Sequence, residues 1–262
     1  MNAAPAGVVT LEIPAPHVAL VTLRRPERRN AVNGAMAFEL ESIVRSTEAD
    51  PAVWAVVLTG AGGQAFSSGA DLKEVAAGRL DTLWTHDGGF AGFVRAARAK
   101  PWIAAVDGLA VAGGFEIALA CDMIVASDDA WFGLPEVTRG LIAAAGGLYR
   151  LPRALPRAVA LELIATGERL TADRALALGL VNRVVPKERT LPTSLELAGT
   201  IARNAPLAVR ESLVIARQAH DLSDATLGRL SAEGQRRIMG SEDFQEGPRA
   251  FFEKRAPRWV GR

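Results

Sequence analysis

Cysteine is almost missing from this 262-residue chain, and Cys121 is the single instance. That excludes an intrachain disulfide and fits a reducing, cytoplasmic setting, with Cys121 itself expected to act as a small buried hydrophobe. Histidine is scarce too. His17, His86 and His220 share no ligand spacing with one another or with Cys121, so no metal site is expected. Neither sign of charge is in excess: 30 Lys and Arg face 29 Asp and Glu, for a net charge of +1. Nothing global therefore argues for nucleic acid or a membrane surface as a partner. Long apolar runs are absent as well, since the longest, near residues 117–126, is broken by Asp122 and is too short to span a bilayer. The first residues, MNAAPAGVVTLEI, lack a basic stretch followed by an apolar one, so no secretory signal is expected. Three nucleotide or nucleophile signatures also fail. Gly60, Gly62 and Ala65 are followed by Phe66-Ser67-Ser68 instead of an apolar helix, Gly108 to Gly114 lacks the Lys-Ser/Thr of a phosphate loop, and no G-x-S-x-G elbow occurs.

What remains is an ordinary globular composition, 49% hydrophobic and 23% charged, in a chain long enough for a substantial core. The chain is organised around residues 102–127, WIAAVDGLAVAGGFEIALACDMIVAS. An apolar run (102–106) predicts a buried strand, residues 107–114 form a small-residue glycine turn, 115–120 a short helix, and 123–126 a second buried strand. Upstream, residues 7–13 and 17–23 read as strands with Pro14 and Pro16 between them. Residues 24–30 form a charged loop ending at Asn30 as a possible helix cap, 33–48 a helix with Met36, Leu40, Ile43 and Val44 on one face, and 53–58 a buried strand. Asp71 is placed to cap a helix after the loop at 66–70. Residues 79–88 read as irregular and 90–99 as a helix. After a short strand at 130–136 and a turn at 140–147, the chain from Pro156 reads as nearly continuous helix, interrupted by a strand at 180–185. The result is an α/β protein, β-rich first and α-rich last, with several β–turn–α units and no linker.

Two glycine-rich turns, Ser68-Gly69-Ala70-Asp71 and Ala112-Gly113-Gly114, each leave a strand and enter a helix. Amides at a helix start lack internal partners and point at whatever approaches. One N–H from each turn aimed at a single oxygen would make an oxyanion hole. Glu116 lies three residues past Gly113, on the same turn of an otherwise apolar helix. A helix start favours negative charge there, but the neighbouring glycines and a second acid, Glu136 after Pro135, favour chemistry. Two glutamates facing one polarised substrate can divide acid and base work.

Six stretches, in order, resemble the enoyl-CoA hydratase/isomerase (crotonase) superfamily. They are RRPERRNAVN (24–33), AFSSGADLKE (65–74), KPWIAAVDGLAVAGGFEIALACDMIVAS (100–127), FGLPEVTRGLIAAAGGLYRLPR (132–153), TADRALALGLVNRVVP (171–186) and SEDFQEGPRAFFEKRAP (241–257). The resemblance implies a ββα spiral core that binds acyl-CoA (residues 1–200) and a C-terminal helical trimerisation region (201–262), assembled as a homotrimer or a dimer of trimers. It implies Ala70 and Gly113 as the two N–H donors to the thioester oxygen. Ser68, Ala70, Asp71, Leu72 and Lys73 would line the path of coenzyme A, with Phe251 and Lys254 reaching it from a neighbouring subunit. Glu116 would help activate water and Glu136 would exchange the proton at the α-carbon. No metal or cofactor is implied beyond coenzyme A as part of the substrate. Carrying both acids makes a trans-2-enoyl-CoA hydratase the leading expectation. Dehydration of a carnitinyl-type acyl-CoA, double-bond isomerisation, and a non-catalytic acyl-CoA-binding protein are the alternatives. Two departures stand out: Ala112 where the family commonly has glycine, and Ala143-Ala144 where many hydratases have Pro-Gly. In such hydratases the amide at the Ala144 position helps to hold the water.

Overall fold

The apolar runs become strands whose two faces are both covered. The computed structural model describes residues 7–262, so the N-terminal six residues, including the start of the expected 1–200 core and of the segment read for a signal, lie outside the described residues. Strands β1 (Val9–Ala15), β2 (Val18–Leu23) and β3 (Ala55–Gly60) open a large sheet. Helix α1 (Gly34–Ala49) lies between β2 and β3, and β4 (Ala65–Ser67) and α2 (Leu72–Ala76) follow them. A small hairpin pairs β5 (Trp84–Thr85) with β6 (Gly89–Phe90). The central stretch forms β7 (Trp102–Val106), β8 (Leu109–Val111), α3 (Gly113–Ala120) and β9 (Met123–Ser127). Next come β10 (Trp131–Gly133), α4 (Gly147–Ala154), α5 (Arg157–Thr166), β11 (Leu170–Thr171), α6 (Ala172–Ala177) and β12 (Arg183–Val185). Four helices finish the chain: α7 (Thr190–Ala202), α8 (Pro206–Ala216), α9 (Asp224–Met239) and α10 (Glu242–Phe252).

The large sheet runs β1-β2-β3-β7-β9-β12 and the smaller one β11-β10-β8-β4. Successive units place one strand in each sheet and then a helix: β3, β4, α2, then β7, β8, α3, then β9, β10, α4. That is the expected ββα spiral. The strands between units are parallel, with Leu58 opposite Ala104 and Ala104 opposite Ile124. Their continuous apolar sequences follow from burial on both sides. Val56, Leu58, Ala104 and Val106 face the main core with Phe66, Phe115 and Phe132. The alternate residues Ala55, Val57, Ile103 and Ala105 face a second core covered by α7.

Beyond α7, α8 and α10 each pack on α9. Arg217 ties this tail back to the spiral through Asp122 (2.7 and 2.8 Å) and the Lys100 carbonyl (3.0 Å). Among the described residues, no helix is long and apolar enough to cross a membrane. Cys121 is partly buried against the core, and burial pushes its thiol up to about 12, which leaves it unreactive.

Several local expectations need correcting. Residues 90–99 are not a helix. Phe90 ends the hairpin, and the chain then turns through Ala91 (φ 58°) and Gly92 (φ 65°), backbone that a right-handed helix cannot contain. Asn30 is not a helix cap; Asn33 is, accepting from the Met36 amide at 3.0 Å. The small-residue run 107–114 contains the extra strand β8, and β1 continues through Pro14, which is tolerated on an edge strand.

Ala112, just before α3, sits at φ 52°, ψ −133°, a conformation natural only to glycine. Such strain costs about 1–3 kcal/mol, against about 0.4–1 kcal/mol for the looser unfolded chain that glycine brings. Ala112→Gly is therefore expected to stabilise the protein by about 1 kcal/mol. A melting curve checks it, and a lower melting temperature for the variant would contradict the account.

Candidate active site

The first turn, between β4 and α2, is held by residues 25–33. The Ser68 amide donates to the Arg29 carbonyl (3.0 Å), Val32 N–H to the Gly69 carbonyl (2.8 Å) and Asp71 N–H to the Val32 carbonyl (2.9 Å). Ser67 Oγ donates to the Asn30 carbonyl at 2.8 Å. Asn30 is fully buried, donates to the carbonyls of Ala61 (2.9 Å) and Ala65 (2.7 Å), and accepts from the Arg25 amide (2.9 Å). Asp71 caps α2 through the Lys73 amide (3.0 Å) and pairs with Arg25 (2.9 Å). Burial pushes its carboxyl up, but these contacts outweigh that and hold it below its ordinary value. Between these fixed neighbours, the Ala70 N–H has no acceptor among the described residues.

The second turn, between β8 and α3, lies directly against the first. Gly69 has φ 84°, and a Cβ there would lie 2.7 Å from Gly113 N. Gly114 is as constrained, since its Cβ would stand 2.1 Å from the Ser67 carbonyl oxygen. The two turns interlock because glycine lets backbone meet backbone. Gly113 N–H, at the first position of α3, also has no acceptor among the described residues. The edge of the Phe90 ring packs over Gly113, and Trp84 meets Phe90 edge-on at 5.7 Å. Trp84 and Phe90 thus form an aromatic wall beside the two turns.

One helical turn past Gly113, Glu116 is only 3% exposed. Its Oε1 accepts from the Gly147 amide at 2.8 Å. Burial, together with the nearby Glu136 charge, pushes its carboxyl from an ordinary 4.5 to about 7. Glu136 lies in a single 3-10 turn (Pro135–Arg139) after β10. Burial raises its carboxyl too, and its Oε2 is buried with no hydrogen-bond partner among the described residues. Two carboxylates whose ionisation burial opposes thus interact with each other, and Glu116 lies one helical turn past the unengaged Gly113 amide.

The raised Glu116 value makes stability depend on pH. The folded state holds this proton more tightly than the unfolded chain does. Its contribution is complete below 4.5 and is lost as pH rises through about 7. The loss is on the order of 3 kcal/mol. Glu116→Gln, which cannot ionise, is expected to be the more stable protein at pH 8, with the gap closing toward pH 4. Parallel denaturation curves at both pH values check this, and a gap independent of pH would refute it.

Comparisons with known proteins place this arrangement. The family model described as enoyl-CoA hydratase/isomerase matches residues 15–262. The chain belongs to the enoyl-CoA hydratase/isomerase family. It is 40% identical over 95% of its length to the mevalonyl-coenzyme A hydratase sidH of Aspergillus fumigatus, of which it covers 93%. It is 42% identical over 92% of its length to the carnitinyl-CoA dehydratase of Salmonella arizonae, of which it covers 94%. The crystal structure of an enoyl-CoA hydratase from Mycobacterium tuberculosis superposes with a TM-score of 0.93 at 40% identity, covering 98% of this chain and all of that one.

Within this crotonase fold, the structure brings Ala70, Gly113, Glu116 and Glu136 together. Ser68, half-buried, and Leu72 and Lys73, both exposed, border the first turn. Phe251 and Lys254 are exposed on α10 and just beyond it, where α10 packs on α9. The Ala144 amide, which the family pattern assigns to water, donates to the Ile142 carbonyl at 2.9 Å, and Glu116 takes its hydrogen bond from Gly147. Three supporting residues were not singled out from sequence: Arg25, Asn30 in its bridging role, and Arg150. Their partners lie 46, 35 and 56 positions away, beyond any local pattern.

Proposed function

We propose that the protein is a hydratase that adds water reversibly across the double bond of a trans-2-enoyl-CoA. The observation that carries this reading is the pair of raised-pKa carboxylates beside two unengaged amides on interlocked turns. The thioester oxygen accepts from Ala70 N–H and Gly113 N–H, which stabilise the enolate as charge develops on it. Glu116 takes a proton from water as the water oxygen bonds to the β-carbon. Glu136 delivers a proton to the α-carbon as the enolate collapses. In reverse, Glu136 removes the α-proton and Glu116 protonates the departing hydroxyl. Either direction needs one carboxylate ionised and one protonated, and a buried, mutually repelling pair favours holding a single proton. Water supplies every atom added, so coenzyme A enters only as part of the substrate and no redox cofactor takes part.

A specific observation also favours dehydration of a hydroxyacyl-CoA. Glu116, raised to about 7, keeps much of its proton near neutrality and is thereby poised to protonate a leaving hydroxyl. The relative named as a carnitinyl-CoA dehydratase points the same way.

The experiment is loss of enoyl absorbance for trans-2-enoyl-CoAs of increasing length, with the reverse reaction followed for hydroxyacyl-CoAs. Turnover in either series supports the reading. Tight acyl-CoA binding without turnover in both would favour a carrier, and conversion of 3-enoyl to 2-enoyl thioesters alone would favour an isomerase.

Assembly as a homotrimer or a dimer of trimers through α8–α10, in the cytoplasm, completes the proposal. In that assembly Phe251 and Lys254 approach the coenzyme A of a neighbouring subunit, and Ser68, Asp71, Leu72 and Lys73 lie along its path. Lys254→Ala is expected to raise KM for acyl-CoA several-fold with kcat unchanged, because an exposed ion pair contributes about 1 kcal/mol or less. An unchanged KM would leave Lys254 as part of a solvated basic face.

A further inference from the structure

Arg150 stands out because its half-buried guanidinium has no carboxylate partner among the described residues. Nη1 donates to the Ala145 carbonyl at 3.2 Å and Nη2 to the Val94 carbonyl at 2.5 Å. The first acceptor belongs to the turn that supplies the Gly147 amide to Glu116, and the second follows directly on the aromatic wall at Phe90–Phe93. The guanidinium approaches Gly146 so closely that a Cβ there would meet Nη1 at 1.9 Å. Gly146 itself has φ 120°. A guanidinium is suited to this because its donors are fixed in one plane and can hold two acceptors on separate segments at once. Arg98 does the same at the neighbouring residue of the wall, donating to the Phe93 carbonyl and to the Ala120 carbonyl at the end of α3 (2.7 Å).

We propose that Arg150 is a positioning residue that staples the wall segment at 90–94 to the turn at 143–147 and thereby aims the Gly147 amide at Glu116. Through this staple, a displacement of the wall is felt at the carboxylate. The charged and titratable groups facing the pair are Glu136 on the Glu116 side, and Tyr149, Cys121, Arg153 and Arg98 around Arg150. Of these, Arg150 is the cation acting on Glu116, so it favours the ionised carboxylate both through its field and through the amide it holds in place. The consequence for turnover rests on the hydratase reading; the consequence for the titration of Glu116 does not.

The test is therefore read without activity. Carboxyl-13C glutamate is incorporated, the Glu116 resonance is assigned by its loss in Glu116→Gln, and its titration midpoint is followed by NMR in wild type, Arg150→Gln and Arg150→Lys. In Arg150→Gln the midpoint is expected to rise by roughly one pH unit, a tenfold change in acidity, with faster amide exchange at residues 143–147. In Arg150→Lys, which keeps the charge but has lost the planar fork, the midpoint is expected to return part of the way while exchange stays fast. Arg150→Lys also carries the test if the glutamine variant does not fold. An unshifted midpoint in a folded Arg150→Gln, or wild-type exchange at residues 143–147 in Arg150→Lys, would overturn the proposal. If these shifts occur in a protein with no turnover, the staple stands and the hydratase reading falls.

Discussion

Glu136→Gln is expected to lower turnover by roughly 10²–10⁴-fold, the range typical of a positioned acid–base group. Glutamine keeps the size of the side chain and cannot exchange the proton with the α-carbon. The native Oε2 is buried without a protein partner, so the substitution breaks no hydrogen bond made by that atom within the chain. It also removes a carboxylate whose ionised form burial disfavours, so the variant should melt no lower than wild type. Binding of an unreactive acyl-CoA should stay within about threefold, because the oxygen is held by amides on other elements. The check is kcat together with the dissociation constant of a saturated acyl-CoA. Turnover within a few-fold of wild type would remove Glu136 from the chemistry and, with it, the proton accounting proposed above.

Gly69→Ala is expected to cost roughly 10²–10³-fold in kcat, comparable to losing one oxyanion donor. Two effects act there. The backbone at φ 84° is strained for alanine, and the new Cβ would press on Gly113 N at 2.7 Å, so the two turns must separate. Gly78→Ala separates these effects, since Gly78 also has positive φ (71°) but nothing within 4 Å of its Cβ position. Both variants should lose about 1–3 kcal/mol of stability from backbone strain. Only Gly69→Ala should lose turnover. A Gly69→Ala enzyme with kcat within twofold of wild type would mean that the contact between the turns does not set the donors.

The site was legible where its parts are consecutive. Strand, small-residue turn and helix follow one another in residues 102–120, so the turn at 112–114 and Glu116 could be located from spacing and from the oddity of an acid in an apolar helix, while Gly113 as the donor followed from the family resemblance. The ββα order was implied by the family motifs, and the strand pairings bear it out. What escaped the sequence is long-range. Asn30 looks like a cap in its local context. Its burial and its bonds to the Ala61 and Ala65 carbonyls follow from a turn formed by a different part of the chain. Residues 90–99 carry helix-forming residues after Gly92. Their path is set by the hairpin before them and by Arg98 and Arg150 binding their carbonyls. Glu136 was placed at a strand end by its neighbours, but its nearness to Glu116 depends on β10 pairing with β8, which no local pattern shows.

The two donors proposed for the thioester oxygen are main-chain atoms on turns that meet at Gly69 and Gly113. Every residue except proline carries an N–H, so an ordinary substitution at position 70 deletes no functional group. Mutation can fail there only by altering shape. The wall at Phe90 and Trp84 is different, since each is a side chain that can be exchanged singly. If the hole is built this way, divergence has an uneven terrain: the main-chain donors pass on with the fold, while the choice of acyl group can drift one side chain at a time.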